Sequence, residues 1–160
     1  MTIVLRAVLL LGAYIFIARS CTFAKKGKKN PHLKNLPNRT LESIENPLIE
    51  PTLCGNEHNV PSLMCDPDKV LPPEEMEDMD ASITDTTIRS GVNCAVVILS
   101  KMNISGYTDA PSAAQAFASS LHQTYKLGNL GLLFFLSIDE KQIIFERGLD
   151  LLEVRVYRGT

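Results

Sequence analysis

Two aspartates, Asp66 and Asp68, flank Pro67 ahead of Lys69 and Val70. Carboxylates at this spacing can do two kinds of chemistry. One can attack a phosphorus centre while its neighbour moves the proton, or both can ligate a hard cation such as Ca2+ or Mg2+. They can also do no chemistry, because Asp and Pro together set a turn ahead of a helix. Cys54, His58 and Cys65 form a second group. Their types suit zinc, but the spacing is no recognised zinc pattern and no fourth ligand is evident. In an oxidising compartment such cysteines pair, so a Cys54–Cys65 disulfide is the expectation. Cys94 then stays free or joins Cys21. Asn38-Arg39-Thr40 and Asn103-Ile104-Ser105 are N-glycosylation acceptors by pattern.

The Asp66–Asp68 pair can be set against each pattern in turn. A DxDxV opening is the start of haloacid-dehalogenase phosphatases. Those need a strongly apolar strand just before it, and Val60-Pro61-Ser62-Leu63-Met64 is a poor one. They also need downstream acidic pairs for magnesium, and none is found. A calcium loop needs Gly at position six and Glu at twelve. Leu71 and Glu77 stand there, so half the pattern is met. A structural turn is the leading reading, with a divalent-cation site of another design second. His32 and His122 have no neighbour that would make either a base. No GxSxG elbow, P-loop or dinucleotide glycine motif occurs.

These residues must be positioned by a fold, and the chain is long enough for one. Its 160 residues are 45% hydrophobic and 21% charged, the balance of a single globular domain. The net charge of -2 argues against a whole-chain nucleic-acid binder, which usually carries a basic excess. Arg6 is the only charge in the first 18 residues, and an apolar run follows it to Ala18. This is the pattern of a secretory signal peptide, with small residues placed for cleavage near residue 20. An uncleaved anchor is the alternative, and the lysines after the run would then hold the domain in the cytosol. The cysteines and sequons favour the lumenal or extracellular side. Residues 21–53 carry four prolines, six basic residues and no apolar period, which reads as an extended linker.

The folded part is expected from Cys54. Pro72 and Pro73 open a helix, acids fill its first turn, and Gly91 ends it. Met76, Met79, Ile83 and Ile88 form its apolar stripe. Ala95–Leu99 reads as a strand buried on both faces. Asp109 caps a second helix with Ala110, Ala114, Phe117, Ala118, Leu121 and Tyr125 on one side, closed by Gly128. Leu132–Leu136 and Ile143–Phe145 are further strands, joined by the polar turn Asp139–Gln142 and stopped at Gly148. Helices alternating with apolar strands imply an α/β fold with a covered sheet.

In this order the motifs resemble a known family. Cys54-Gly55, the block Cys65-Asp66-Pro67-Asp68-Lys69-Val70-Leu71, an acidic helix, and Cys94-Ala95-Val96-Val97-Ile98 are similar to the nematode modulator of levamisole receptor family. So are Tyr125-Lys126-Leu127-Gly128-Asn129, Gly131–Asp139 and Ile143–Gly148. That family is a branch of the TPM domain superfamily. The resemblance implies a three-layer α/β sandwich over 54–148, outside the cell and tethered by a membrane helix. It implies an auxiliary role: association with nicotinic acetylcholine receptor subunits and modulation of their gating. The wider superfamily implies the alternative, a metal-dependent acid phosphatase. Its acidic metal position falls on Asp66 or Asp68, with Asp139 in a turn where related domains carry polar residues. Several features depart from the family. Tyr125 stands where tryptophan is frequent, a cysteine-bearing insert after Gly128 is missing, and residues 149–160 do not match. The expectation is therefore a C-terminally shortened family member that is not an enzyme, with no obligatory cofactor and with Ca2+ or Mg2+ as the cations to test. If the N-terminal segment is cleaved, this form is released from the cell.

Overall fold

The structure is a computed structural model and describes residues 36–151. The expected signal segment, Cys21, His32 and the tail from residue 152 lie outside the described residues. No described helix is long and apolar enough to cross a membrane.

The element order is β1 (Met64–Cys65), α1 (Pro73–Ser90), β2 (Asn93–Leu99), α2 (Ala110–Thr124), β3 (Gly131–Ser137) and β4 (Gln142–Arg147). Short 3-10 turns occupy Leu41–Ser43 and Leu149–Leu151. Proline at the start of α1 suits a turn whose N–H groups have no helical partner, and Glu74 and Glu75 complement the positive helix end. Gly91 takes the left-handed conformation that closes the helix, with its N–H on Thr87. In α2 the Asp109 carboxylate accepts the Ser112 N–H at 2.8 Å, an N-cap that satisfies one orphan donor.

The four strands lie in sequence order, with β1, β2 and β3 parallel and β4 antiparallel. Side chains alternate across a strand, and the two faces of β2 sort accordingly. Ala95, Val97 and Leu99 face α2, where Phe117, Leu121, Leu133 and Phe135 complete the larger core. Val96 and Ile98 face α1 and meet Met64, Met76 and Phe134. The result is a three-layer α/β sandwich.

Both crossovers step the same way across the sheet, yet their helices lie on opposite faces. Two right-handed crossovers in one direction would place both helices on one face. One of the two is therefore left-handed, against the strong preference for right-handed βαβ units.

The structure corrects four expectations. Residues 36–53 are not wholly linker. Ile44 and Pro47 are buried, and Arg39 forms a parallel bridge with Met102. This strap has no period because it follows turns rather than a helix or strand. Its hold comes from bonds to other elements, such as the Tyr125 hydroxyl donating to Glu45 O at 2.8 Å. Burial raises the Tyr125 phenol pKa far above its usual value, so it stays a donor. Second, the poor-looking run before Asp66 does supply a strand, β1, two residues long and fully buried. Third, the α1 stripe ends at Ile83, and Ile88 is 77% exposed. Fourth, α1 covers β1 and β2, so the α1 side of β4 is not a covered face, and Ile143 is 54% exposed there.

The expected disulfide joins Cys54 to Cys65, and Cys94 is a buried free thiol. Burial holds that thiol's pKa above the usual value, so it is a poor nucleophile. Closing a loop with sequence separation 11 stabilises by about 3 kcal/mol in the chain-entropy model. The Cys54→Ser/Cys65→Ser variant, compared with the oxidised protein by urea unfolding, is expected to lose about that much. A loss under about 1 kcal/mol would show that the strap is held without the bridge.

Candidate functional site

In parallel sheets ligands bind beyond the carboxyl ends of the strands. Those ends here bring together the loop after β1 with Asp66 and Asp68, Ser100 after β2, and Asp139 and Glu140 after β3. The ladder runs past the strands proper, with Ile138 N–H on Leu99 O and Asp139 N–H on Ser100 O. The strap adds Arg39, whose N–H donates to Lys101 O while its carbonyl accepts from Asn103.

Each buried carboxylate in this corner already has its partners. Asp66 is 0% exposed. Its Oδ1 accepts the Val70 N–H at 2.9 Å and its Oδ2 the Leu71 N–H at 2.8 Å. It thereby organises the turn that leads into α1, in which Lys69 adopts a positive φ. Its own N–H is bonded to Cys54 O, and an added Cβ at Gly55 would lie 2.4 Å from Asp66 O. Only glycine fits that approach.

Asp68 is 2% exposed. Arg39 Nε and Nη2 both reach its Oδ1 at 2.7 Å. The Ser100 N–H reaches Oδ2 at 2.8 Å, and Arg39 Nη2 also bonds Pro67 O at 3.0 Å. Glu140 Oε2 accepts from the Ser137 hydroxyl and from the Met102 N–H. Asp139 is exposed in the turn before β4.

This arrangement does not fit a divalent cation. Among the described residues no group of three His, Cys, Asp or Glu side chains is placed to hold one. Asp66, Asp68 and Asp139 share one end of the sheet but do not converge. The two buried aspartates face N–H donors, and a guanidinium lies on Asp68. Nor is either aspartate exposed as a nucleophile. The zinc reading fails as well, since both cysteines are in the disulfide and His58 reaches Glu77 at 3.1 Å, exposed. Glu77, the would-be calcium ligand, lies on α1 rather than in a loop.

One sequon lies in the strap and the other beside it. Asn38 is exposed, and Asn103 is half-buried with its Oδ1 accepting the Ser105 N–H at 3.0 Å. The Arg39–Met102 bridge makes the two triplets neighbours. Elsewhere a groove of about 60 Å³ runs between the disulfide loop and α1, with Met76 and Pro73 among its lining and Glu77 and Asp80 at its acidic side. Asp80 itself accepts from the Ser62 hydroxyl and the Leu63 N–H.

Sequence reasoning missed Arg39, Ser100, Glu140 and Asp80. Arg39 sits in a basic cluster, which ordinarily marks a solvated segment. Its one local signal is the apolar pair Leu41 and Ile44 just after it. His122 is also placed differently from expectation. Its Nε2 is buried without a hydrogen-bond partner, close enough to Gly131 that an added Cβ there would lie 2.7 Å away.

No family model matches this chain, and no curated protein does. Among solved structures it is similar to the solution NMR structure of the N-terminal domain of a protein from P. gingivalis. The TM-score is 0.55 and the identity 24%, over 74% of this chain and 68% of that one. At that identity the likeness shows the fold alone.

Asp66 provides a pH test. Burial, foremost, and the nearby Asp68 charge raise its pKa, against the opposing N–H bonds from Leu71 and Val70. A carboxyl whose folded pKa is raised adds stability that is complete below its unfolded pKa and is lost as pH rises through the folded value. The stability difference between wild type and Asp66→Asn should therefore shift against wild type as pH climbs from the ordinary carboxylate range to neutrality. Urea unfolding at a series of pH values measures it. A difference that moves the other way would mean that the N–H bonds outweigh burial.

Proposed function

We propose that this chain is a binding module rather than an enzyme, acting as a secreted or membrane-tethered auxiliary protein of levamisole-type nicotinic acetylcholine receptors. The supporting observation is the state of Asp66 and Asp68. They are the acidic residues best placed for chemistry, yet both are buried and hydrogen-bonded by the protein itself. The motif resemblance over residues 54–148 supplies the receptor class. The Cys54–Cys65 disulfide agrees with an oxidising compartment, and so with action at the extracellular face. The phosphatase alternative requires a carboxylate with an oxygen open to a metal and to substrate, which neither aspartate provides.

Co-expression with a levamisole-sensitive receptor, reading current at a fixed agonist dose, tests the proposal. The expected result is a changed current with the wild-type chain, and no phosphate-ester hydrolysis at acid or neutral pH with Ca2+, Mg2+ or chelator. Unchanged currents together with metal-dependent turnover abolished by Asp68→Asn would replace this reading with the phosphatase.

A further inference from the structure

We propose that Asn103 carries an N-linked glycan whose first sugar seats in a cavity of the protein itself. The cavity has a volume of about 180 Å³ and lies where the strap, the loop after β2 and α2 meet. A single water needs only ~15 Å³ of such space, so there is room for a larger occupant. Phe117 and Tyr107 line the cavity, with ring centroids 6.3 Å apart. Leu41 adds an aliphatic surface, and Thr40 and Ser105 add hydroxyl-bearing residues. This mixture suits a pyranose ring, which has apolar C–H faces and a rim of hydroxyls. The faces cover aromatic and aliphatic groups, and the hydroxyls meet the polar ones. Tyr107 is 36% exposed, an aromatic surface that a seated sugar would cover.

Asn103 is itself part of the lining. An occupant attached there loses little of the association entropy that makes a free sugar bind weakly. Asn103 opens an Asn-Ile-Ser acceptor triplet, and its Oδ1 accepts the Ser105 N–H at 3.0 Å. Among the described residues its Nδ2, the atom that takes the sugar, donates to nothing. In the transfer, Nδ2 bonds to the anomeric carbon of a lipid-pyrophosphate-linked oligosaccharide. The C–O bond to pyrophosphate breaks, the amide gives up one proton, and the lipid pyrophosphate leaves. Asn38 differs, because it is exposed and not part of the lining. A sugar seated from Asn103 touches Thr40 and Leu41 of the strap on one side and Phe117 of α2 on the other. It therefore fastens the strap to the fold. The proposal shares with the receptor reading only the lumenal placement of the folded part.

The test uses the full chain with Asn38→Gln, behind a cleavable secretion leader that carries it into the secretory pathway whatever its own first residues do. Peptide mass mapping is expected to find the glycan on Asn103. An endoglycosidase then trims it to a single N-acetylglucosamine. That form is expected to melt about 3 °C above the same chain with Ser105→Ala, which removes the acceptor triplet but keeps Asn103 and its turn. Tyr107→Ala should shrink the difference to below about 1 °C. Nuclear Overhauser contacts between the sugar and the Tyr107 ring give a readout independent of stability. An unmodified Asn103, equal melting of the two chains, a gain that survives Tyr107→Ala, or absence of the sugar–Tyr107 contacts would each overturn the proposal. No arm reads receptor current, so the two readings fail separately.

Discussion

A carboxylate buried at the end of a β-strand must have its oxygens satisfied, and this protein buries two of them within three residues. Leaving a buried charge unpaired costs several kcal/mol. Around Asp66 and Asp68 the chain meets that requirement with donors from three places. The turn before α1 supplies the N–H groups of Val70 and Leu71. The end of β2 supplies Ser100. The strap supplies Arg39, and Asp66 N–H itself is bonded to the carbonyl of a disulfide cysteine. The first turn of α1, the parallel register of β1 on β2, and the course of the N-terminal segment all converge on this corner.

The rest of the fold is tied to this corner by further bonds. β1 is only two residues long, so ladder bonds alone secure it weakly. The disulfide attaches it to the strap, and Asp80 on α1 binds the backbone just before it. One of the crossovers flanking β2 is left-handed, an arrangement that chain twist opposes. The strap's bonds to Lys101, Asn103 and Asp68 span the β1 loop and the segment after β2.

The elements that follow simple periods were legible from residues. The β-branched run of β2, the apolar face of α2, the proline entry and glycine exit of α1 and the hairpin at Asp139–Gln142 each obey a local rule. The Cys54–Cys65 pairing followed from compartment and proximity in sequence. The strap was not legible, because its contacts are long-range. Arg39 and Asp68 are 29 residues apart, and no period links them. β1 was hidden for a related reason: two buried residues are too few to show alternation. The aspartates were legible as a special pair, but the pattern DxD cannot tell a carboxylate that binds a ligand from one that binds its own backbone. That distinction lies in which donors the tertiary fold delivers.

The central claim is that the Arg39–Asp68 interaction is a coupled structural lock. A double-mutant cycle of Arg39→Gln and Asp68→Asn, read by urea unfolding, tests it most directly. The account predicts a coupling energy of about 2 kcal/mol, with each single variant clearly destabilised and the double variant less so than their sum. A coupling energy below about 0.5 kcal/mol, the level of independent sites, would contradict it.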